Sequence, residues 1–126
     1  VVIDGIRTPI GKLNGAMKDI QPEEIAAFLL QKICERSHLD IRLLDAVILG
    51  QAKQSSDQPN IARLAALMTK FPLEVQAYTV HRQCGSGMQA VQNAAQEIMC
   101  GYADFVLAGG IESMSNAQER HGGAMQ

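Results

Sequence analysis

The period of hydrophobic and polar positions changes several times along the chain. Val1 to Ile6 is a short apolar-rich run that reads as a strand, and Arg7 to Gly15, punctuated by Pro9, Gly11 and Gly15, reads as a loop. Pro22 to Ser37 reads as a helix. Pro22 suits the first turn, Glu23 and Glu24 suit its positive end, and Ile25, Phe28, Leu29 and Ile33 form one apolar stripe. Ala46 to Leu49, closed by Gly50, has the continuous aliphatic character of a buried strand. After a polar loop from Gln51 to Pro59, Asn60 to Lys70 reads as a helix with Ile61, Leu64, Ala65 and Met68 on one side, and Phe71-Pro72 ends it. Val75 to Val80 reads as a strand. Gly85 to Cys100 reads as a helix with a stripe of Met88, Val91, Ala95, Ile98 and Met99, stopped by Gly101. Phe105 to Ala108 is a last short strand before Gly109-Gly110, and no periodic pattern follows at Arg120 to Gln126.

The resulting order is β-α-β-α-β-α-β, which predicts an α/β fold with a mostly parallel sheet covered by helices. The chain has 126 residues, enough for one domain and too few for a large two-domain enzyme. Its 47% hydrophobic and 19% charged content is that of a globular protein and argues against disorder. No apolar run is long enough to span a bilayer, so no membrane partner is expected. A net charge of −2, the absence of a basic stripe and the absence of Trp argue against a nucleic-acid partner. The opening Val1-Val2-Ile3 and the patternless close suggest a piece of a longer protein, and no secretory signal pattern is visible.

Three cysteines, Cys34, Cys84 and Cys100, suggest a reducing compartment rather than a disulfide scaffold. Cys84 and Cys100 flank one predicted helix about 24 Å long, too far apart to be bridged. Cys84 follows a predicted strand and opens that helix. Unpaired N–H groups and the helix dipole favour a thiolate there, and hence a nucleophile. Gly85 and Gly87 leave room for a carbonyl substrate, and the amide of Cys84 or Gly85 is placed to serve a developing oxyanion. Three other readings of these residues stay open. Cys84 is a small buried hydrophobe. Gly85-x-Gly87-x-x-Ala90 with Glu112 is a dinucleotide fingerprint. Cys34 and His38 with His81 and Cys84 form a zinc site.

Four segments together resemble the N-terminal part of a thiolase. They are Arg7-Thr8-Pro9-Ile10-Gly11-Lys12, Asn60-Ile61-Ala62-Arg63, Arg82 to Ala90 (RQCGSGMQA), and Ala108 to Ser115 (AGGIESMS). The resemblance runs along nearly the whole chain and implies a partial thiolase N-terminal domain over residues 1–126, with the C-terminal half of the enzyme absent. It implies an acyltransferase that interconverts 3-ketoacyl-CoA plus CoA with acyl-CoA plus acetyl-CoA through a Cys84 thioester. Coenzyme A would be a substrate, with no permanently bound cofactor and no metal. It further implies a place in fatty acid metabolism, a cytoplasmic location and a homodimer or homotetramer. Glu112 and Ser113 are expected to position loops, and His81 to be a local strand-end residue. The family's later Gly-His-Pro, Asn-Glu-Ala-type and Cys-x-Gly-Gly motifs do not occur in this sequence, so the chain alone is expected to be inactive. As a piece, its sheet is expected to expose an edge and a face meant for the missing portion and a partner subunit. A related condensing enzyme of the ketoacyl synthase type and a non-catalytic module of the same fold are the alternatives.

Overall fold

The computed structural model describes residues 1–121. The aliphatic run Ala46–Gly50 forms β1, buried along its whole length. It is buried because it pairs on both sides, in parallel, with β2 (Gln76–Val80) and β3 (Val106–Gly110), giving the strand order β2-β1-β3. The helices are α1 (Pro22–Ser37), α2 (Ile61–Leu67), α3 (Ser86–Met99) and α4 (Met114–His121), and a single 3-10 turn lies at Ile41–Leu43. From β1 the chain crosses one way to β2 through α2, and then back past β1 to β3 through α3. Crossovers of one hand running in opposite directions place their helices on opposite faces of the sheet. The period of two along β1 records this. Val47 and Leu49 share a core cluster with α1 and α2, whereas Ile48 packs with Ala90 and Ala94 of α3.

The α/β class and the parallel sheet agree with the sequence reading, but one predicted strand is missing. Residues 1–6 pair with no strand. Periodicity identified an apolar run but could not identify a partner for it. Arg36 near the end of α1 binds the Asp4 carboxylate through its Nε at 2.8 Å and also reaches the Gly5 carbonyl, which holds the segment against a helix. Val1, Val2 and Ile3 are exposed. The observed order of described elements is therefore α-β-α-β-α-β-α. The final helix, α4, was not expected, because its sequence is polar. It starts where Ser113 Oγ accepts from the Asn116 amide, and Asn116 is buried.

The buried faces of the helices also differ from the predicted stripes. In α1 the buried residues are Pro22, Glu23, Ala26, Ala27, Leu30 and Cys34, while Phe28 is exposed with Lys32 over its ring at 5.8 Å. In α2 they are Ile61, Ala62, Ala65 and Ala66, while Met68 is exposed. In α3 they are Ser86, Ala90 and Ala94, while Met88, Val91, Ile98 and Met99 are exposed. Small residues bring each helix axis close to its neighbour, and the bulkier side chains are displaced to the flanks. The outer side of α3 consequently carries an apolar stripe of Met88, Val91, Ile98 and Met99.

The amino ends of the strands are fastened by Asp45. Its Oδ2 accepts from the amides of Asp104 at 2.7 Å and Phe105 at 3.1 Å, while its own backbone bridges to Phe105 and Gln76. The bond from the Asp104 amide, and then that from Phe105, pull the Asp45 carboxyl below its ordinary pKa. A lowered folded-state value means that the stabilisation is complete above the unfolded carboxylate pKa of about 3.9 and fades as pH falls through the folded value. Asp45→Asn is expected to cost roughly 1 kcal/mol at pH 7. Urea unfolding at neutral pH and near pH 3 checks this: the gap between variant and parent narrows in acid, and a constant gap would refute the assignment.

Candidate active site

The parallel register aligns Gly50, Val80 and Gly110 as the carboxyl ends of the three strands. The loop after β1 leads to the α2 face and the loop after β2 leads to the α3 face. Adjacent strands whose connections leave on opposite sides create a crevice at this end of the sheet. The β2–α3 connection, His81 to Gly85, lies there, and Cys84 is on it and exposed.

Close approach of α3 to the strand ends depends on glycine. A Cβ on Gly50 would lie 2.2 Å from the Ser86 carbonyl carbon and 2.5 Å from the Gly87 nitrogen. A Cβ on Gly110 would lie 3.2 Å from the Gly87 Cα. The first turn of α3 thus rests directly on the ends of β1 and β3. Gly85, the residue before the helix, has no side chain to cap the helix N–H groups.

The connection itself is tightly wound. Gln83 has φ of +46°, a left-handed conformation that is costly for a residue with a Cβ. The Gly85 amide donates to the Arg82 carbonyl at 3.0 Å, and the Ser86 amide to the Gln83 carbonyl at 3.2 Å. The Ser86 side chain is buried. Its Oγ accepts from the Arg82 amide at 2.8 Å and donates to the Gln83 carbonyl at 2.7 Å. Two expectations are refined by this geometry. The helix begins at Ser86, so Cys84 stands one residue outside the cap rather than in the first turn. The Gly85 amide is committed to Arg82, which leaves the Cys84 amide as the one of the expected pair to meet an oxyanion.

The other cysteines have different surroundings. Cys34 is buried in the α1 core, and burial, followed by the charge of Glu35, pushes its thiol above the ordinary value. Cys100 follows α3 at its far end and is exposed. His38 is the left-handed C-cap of α1, with φ of +55°. Among the described residues, no group of three or more His, Cys, Asp or Glu is placed to hold a metal. His81 is exposed just beyond β2.

Glu112 follows β3. Its carboxylate accepts from the Ala52 amide at 2.9 Å and the Lys53 amide at 3.0 Å, tying the β1–α2 loop to the end of β3. A carboxylate engaged in this way is not placed to hold a ribose, and the dinucleotide reading loses its acid. Glu112→Ala is expected to cost roughly 1–2 kcal/mol and to accelerate hydrogen exchange at the Ala52 and Lys53 amides selectively. Unchanged protection at those two amides would contradict the assignment.

Sequence reasoning missed Asn116. Its Nδ2 donates to the carbonyls of Lys18 at 3.2 Å and Ile20 at 3.1 Å, and its Oδ1 accepts from Gln21 Nε2 at 3.1 Å. It therefore docks the loop before α1 onto α4. A lone Asn in a polar stretch gives no signal of such contacts. A hollow of about 710 Å³, lined in part by Asp45, Gln76, Glu97 and Tyr102, is at the amino ends of the strands and away from Cys84. Among the described residues, no helix is long and apolar enough to cross a membrane.

A doubly wound α/β domain, with an exposed cysteine on a tight turn at the carboxyl ends of its strands, is the class these observations define. The comparisons with known proteins make it specific. The family model described as "Thiolase, N-terminal domain" matches residues 1–126. The 3-oxoadipyl-CoA/3-oxo-5,6-dehydrosuberyl-CoA thiolase of Escherichia coli (strain K12) is 43% identical over 118 residues, 92% of this chain and 29% of that protein. The 3-ketoacyl-CoA thiolase of Pectobacterium carotovorum is 41% identical over 125 residues, 97% of this chain and 32% of that protein. The crystal structure of the Bacillus anthracis acetyl-CoA acetyltransferase aligns with a TM-score of 0.82 at 45% identity, covering 86% of this chain and 27% of that one. The chain belongs to the thiolase family and corresponds to its N-terminal domain. It spans about 30% of the length of the curated relatives it matches.

Proposed function

We propose that these residues form part of a thiolase-type acyltransferase in which Cys84 carries the acyl group. The observation that supports this reading most directly is the exposed Cys84 on a strained, glycine-flanked turn at the carboxyl ends of a thiolase-family sheet. In the degradative direction, the Cys84 thiolate attacks the 3-keto carbon of a 3-ketoacyl-CoA. The C2–C3 bond breaks, its electron pair leaves on C2 as the enolate of acetyl-CoA, and a proton completes acetyl-CoA. The acyl group stays on Sγ as a thioester. The thiolate of free CoA then attacks that thioester, releases the shortened acyl-CoA and restores Cys84. Synthesis runs the same steps backwards from two acyl-CoA molecules.

Splitting the exchange through a covalent thioester replaces one difficult step with two easier ones. The chain's own contributions are the exposed sulfur and the Cys84 amide as a donor to the developing oxyanion. CoA is a substrate in this reading, with no resident cofactor, and the working enzyme is a cytoplasmic homodimer or homotetramer of fatty acid metabolism. The 126 residues alone turn nothing over, because the Gly-His-Pro, Asn-Glu-Ala-type and Cys-x-Gly-Gly motifs that would move the proton and hold the thioester oxygen are not among them.

Two measurements test the reading. Incubation with acetyl-CoA and rapid acid quench should leave an acetyl group on the peptide containing Cys84, and none on those containing Cys34 or Cys100. Acetylation elsewhere with Cys84 unmodified refutes it. Thiolysis of acetoacetyl-CoA by the 126 residues alone would refute the claim of inactivity.

A further inference from the structure

Nothing about an exposed thiol on a loop guarantees a fixed direction of attack, and the residue before Cys84 has a backbone conformation that a free chain would leave. Gln83 at φ of +46° is disfavoured for a side chain with a Cβ, so its surroundings must hold it there. Those surroundings converge on one side chain. Ser86 Oγ takes the Arg82 amide at 2.8 Å and gives its proton to the Gln83 carbonyl at 2.7 Å, so one hydroxyl ties the His81–Arg82 peptide to the Gln83–Cys84 peptide across the strained position. Ser86 is 4% exposed, and its backbone lies against Gly50 at the end of β1, so the clasp is anchored to the sheet rather than to another loop. Cys84 lies between the clasped residues and the helix, and the orientation of its backbone follows from theirs. The Arg82 side chain adds a weaker tie, from Nη1 to Gln89 Oε1 on the exposed surface.

We propose that Ser86 is the positioning residue for Cys84: its buried hydroxyl holds Gln83 in the left-handed conformation that presents the thiol and the Cys84 amide to a substrate carbonyl. The proposal rests on the nucleophile reading above and assigns Ser86 no contact with substrate. A helical serine hydroxyl commonly donates to a carbonyl three or four residues back; here it also accepts from the Arg82 amide, which joins the two ends of the strained turn.

The experiment measures iodoacetamide alkylation of each cysteine in the intact protein at pH 7, by peptide mass spectrometry. Buried Cys34 reports unfolding and exposed Cys100 reports an ordinary thiol. In the unchanged protein Cys84 should react at least tenfold faster than Cys100. If it does not, the nucleophile reading fails and the positioning role falls with it. Given a fast Cys84, Ser86→Ala should slow it at least fivefold with Cys34 still protected, and Ser86→Thr should restore at least half the rate. A fast Cys84 in Ser86→Ala overturns the role of Ser86 alone and leaves the nucleophile intact. If Ser86→Ala instead exposes Cys34, the double variant Gln83→Gly/Ser86→Ala decides the question. Glycine adopts positive φ without strain, so reactivity and protection should both return, and their failure to return overturns the proposal.

Discussion

Gly50→Ala is expected to be the most damaging small substitution in the sheet, with a loss of at least about 3 kcal/mol of stability. The added methyl would sit 2.2 Å from the Ser86 carbonyl carbon, 2.3 Å from its oxygen and 2.5 Å from the Gly87 nitrogen. All three are backbone atoms, so no rotamer change relieves the clash. Either β1 must retreat, which is blocked by pairing on both sides, or the first turn of α3 must lift off the sheet. Lifting it carries away Ser86, whose hydroxyl holds the loop around Cys84. Neighbouring glycines calibrate the effect. Gly110→Ala places its methyl 3.2 Å from the Gly87 Cα and should cost about 1 kcal/mol. Gly109→Ala meets only Leu49 Cδ2 at 3.9 Å and should be neutral or slightly stabilising, since the unfolded chain loses freedom. Denaturant melts of the three variants should therefore rank Gly50 well below Gly110, and Gly110 below Gly109. A Gly50→Ala protein as stable as Gly109→Ala would show that α3 does not pack on the strand ends as described.

That ranking also shows what the sequence made legible. Strand and helix positions followed from period and punctuation, and β1, the least ambiguous aliphatic run, became the central strand. The misread helix faces share one cause. Periodicity weights large apolar residues, yet α1, α2 and α3 bury Ala26, Ala27, Ala62, Ala65, Ala66, Ala90 and Ala94 and leave Phe28, Met68, Met88 and Met99 exposed. Whether a helix buries its bulkiest or its smallest face depends on how closely its neighbour approaches, which is tertiary information. For the same reason Gly50 read as a strand terminator, when it is also the contact surface for α3. Val1 to Ile6 had the composition of a strand but pairs with no strand. At the site, the strand-turn-helix context of Cys84 was legible. The Ser86 clasp was not, because serine in the first turn of a helix reads as an ordinary helix-start residue.

Removal of the sulfur is expected to have the largest functional effect. On the proposed reading, Cys84→Ser in a full-length thiolase carrying this domain should reduce thiolysis of acetoacetyl-CoA by about 10⁴-fold or more, the scale on which loss of a covalent nucleophile is felt. A serine hydroxyl in the same place is a far weaker nucleophile without a base arranged to activate it. Stability should barely change, within about 0.5 kcal/mol, because Cys84 is exposed on a loop. Cys34→Ser should show the reverse. It places a hydroxyl in the buried cluster that also holds Leu30 and Ala65, costing about 1–3 kcal/mol, while activity per folded molecule persists. Cys100→Ser should change neither. The three variants separate chemistry from packing, since a residue acting only through the fold cannot lose four orders of magnitude in rate at constant melting temperature. Retention of more than a few per cent of parental activity in Cys84→Ser would remove Cys84 from the acyl-transfer step, whatever its position in the fold.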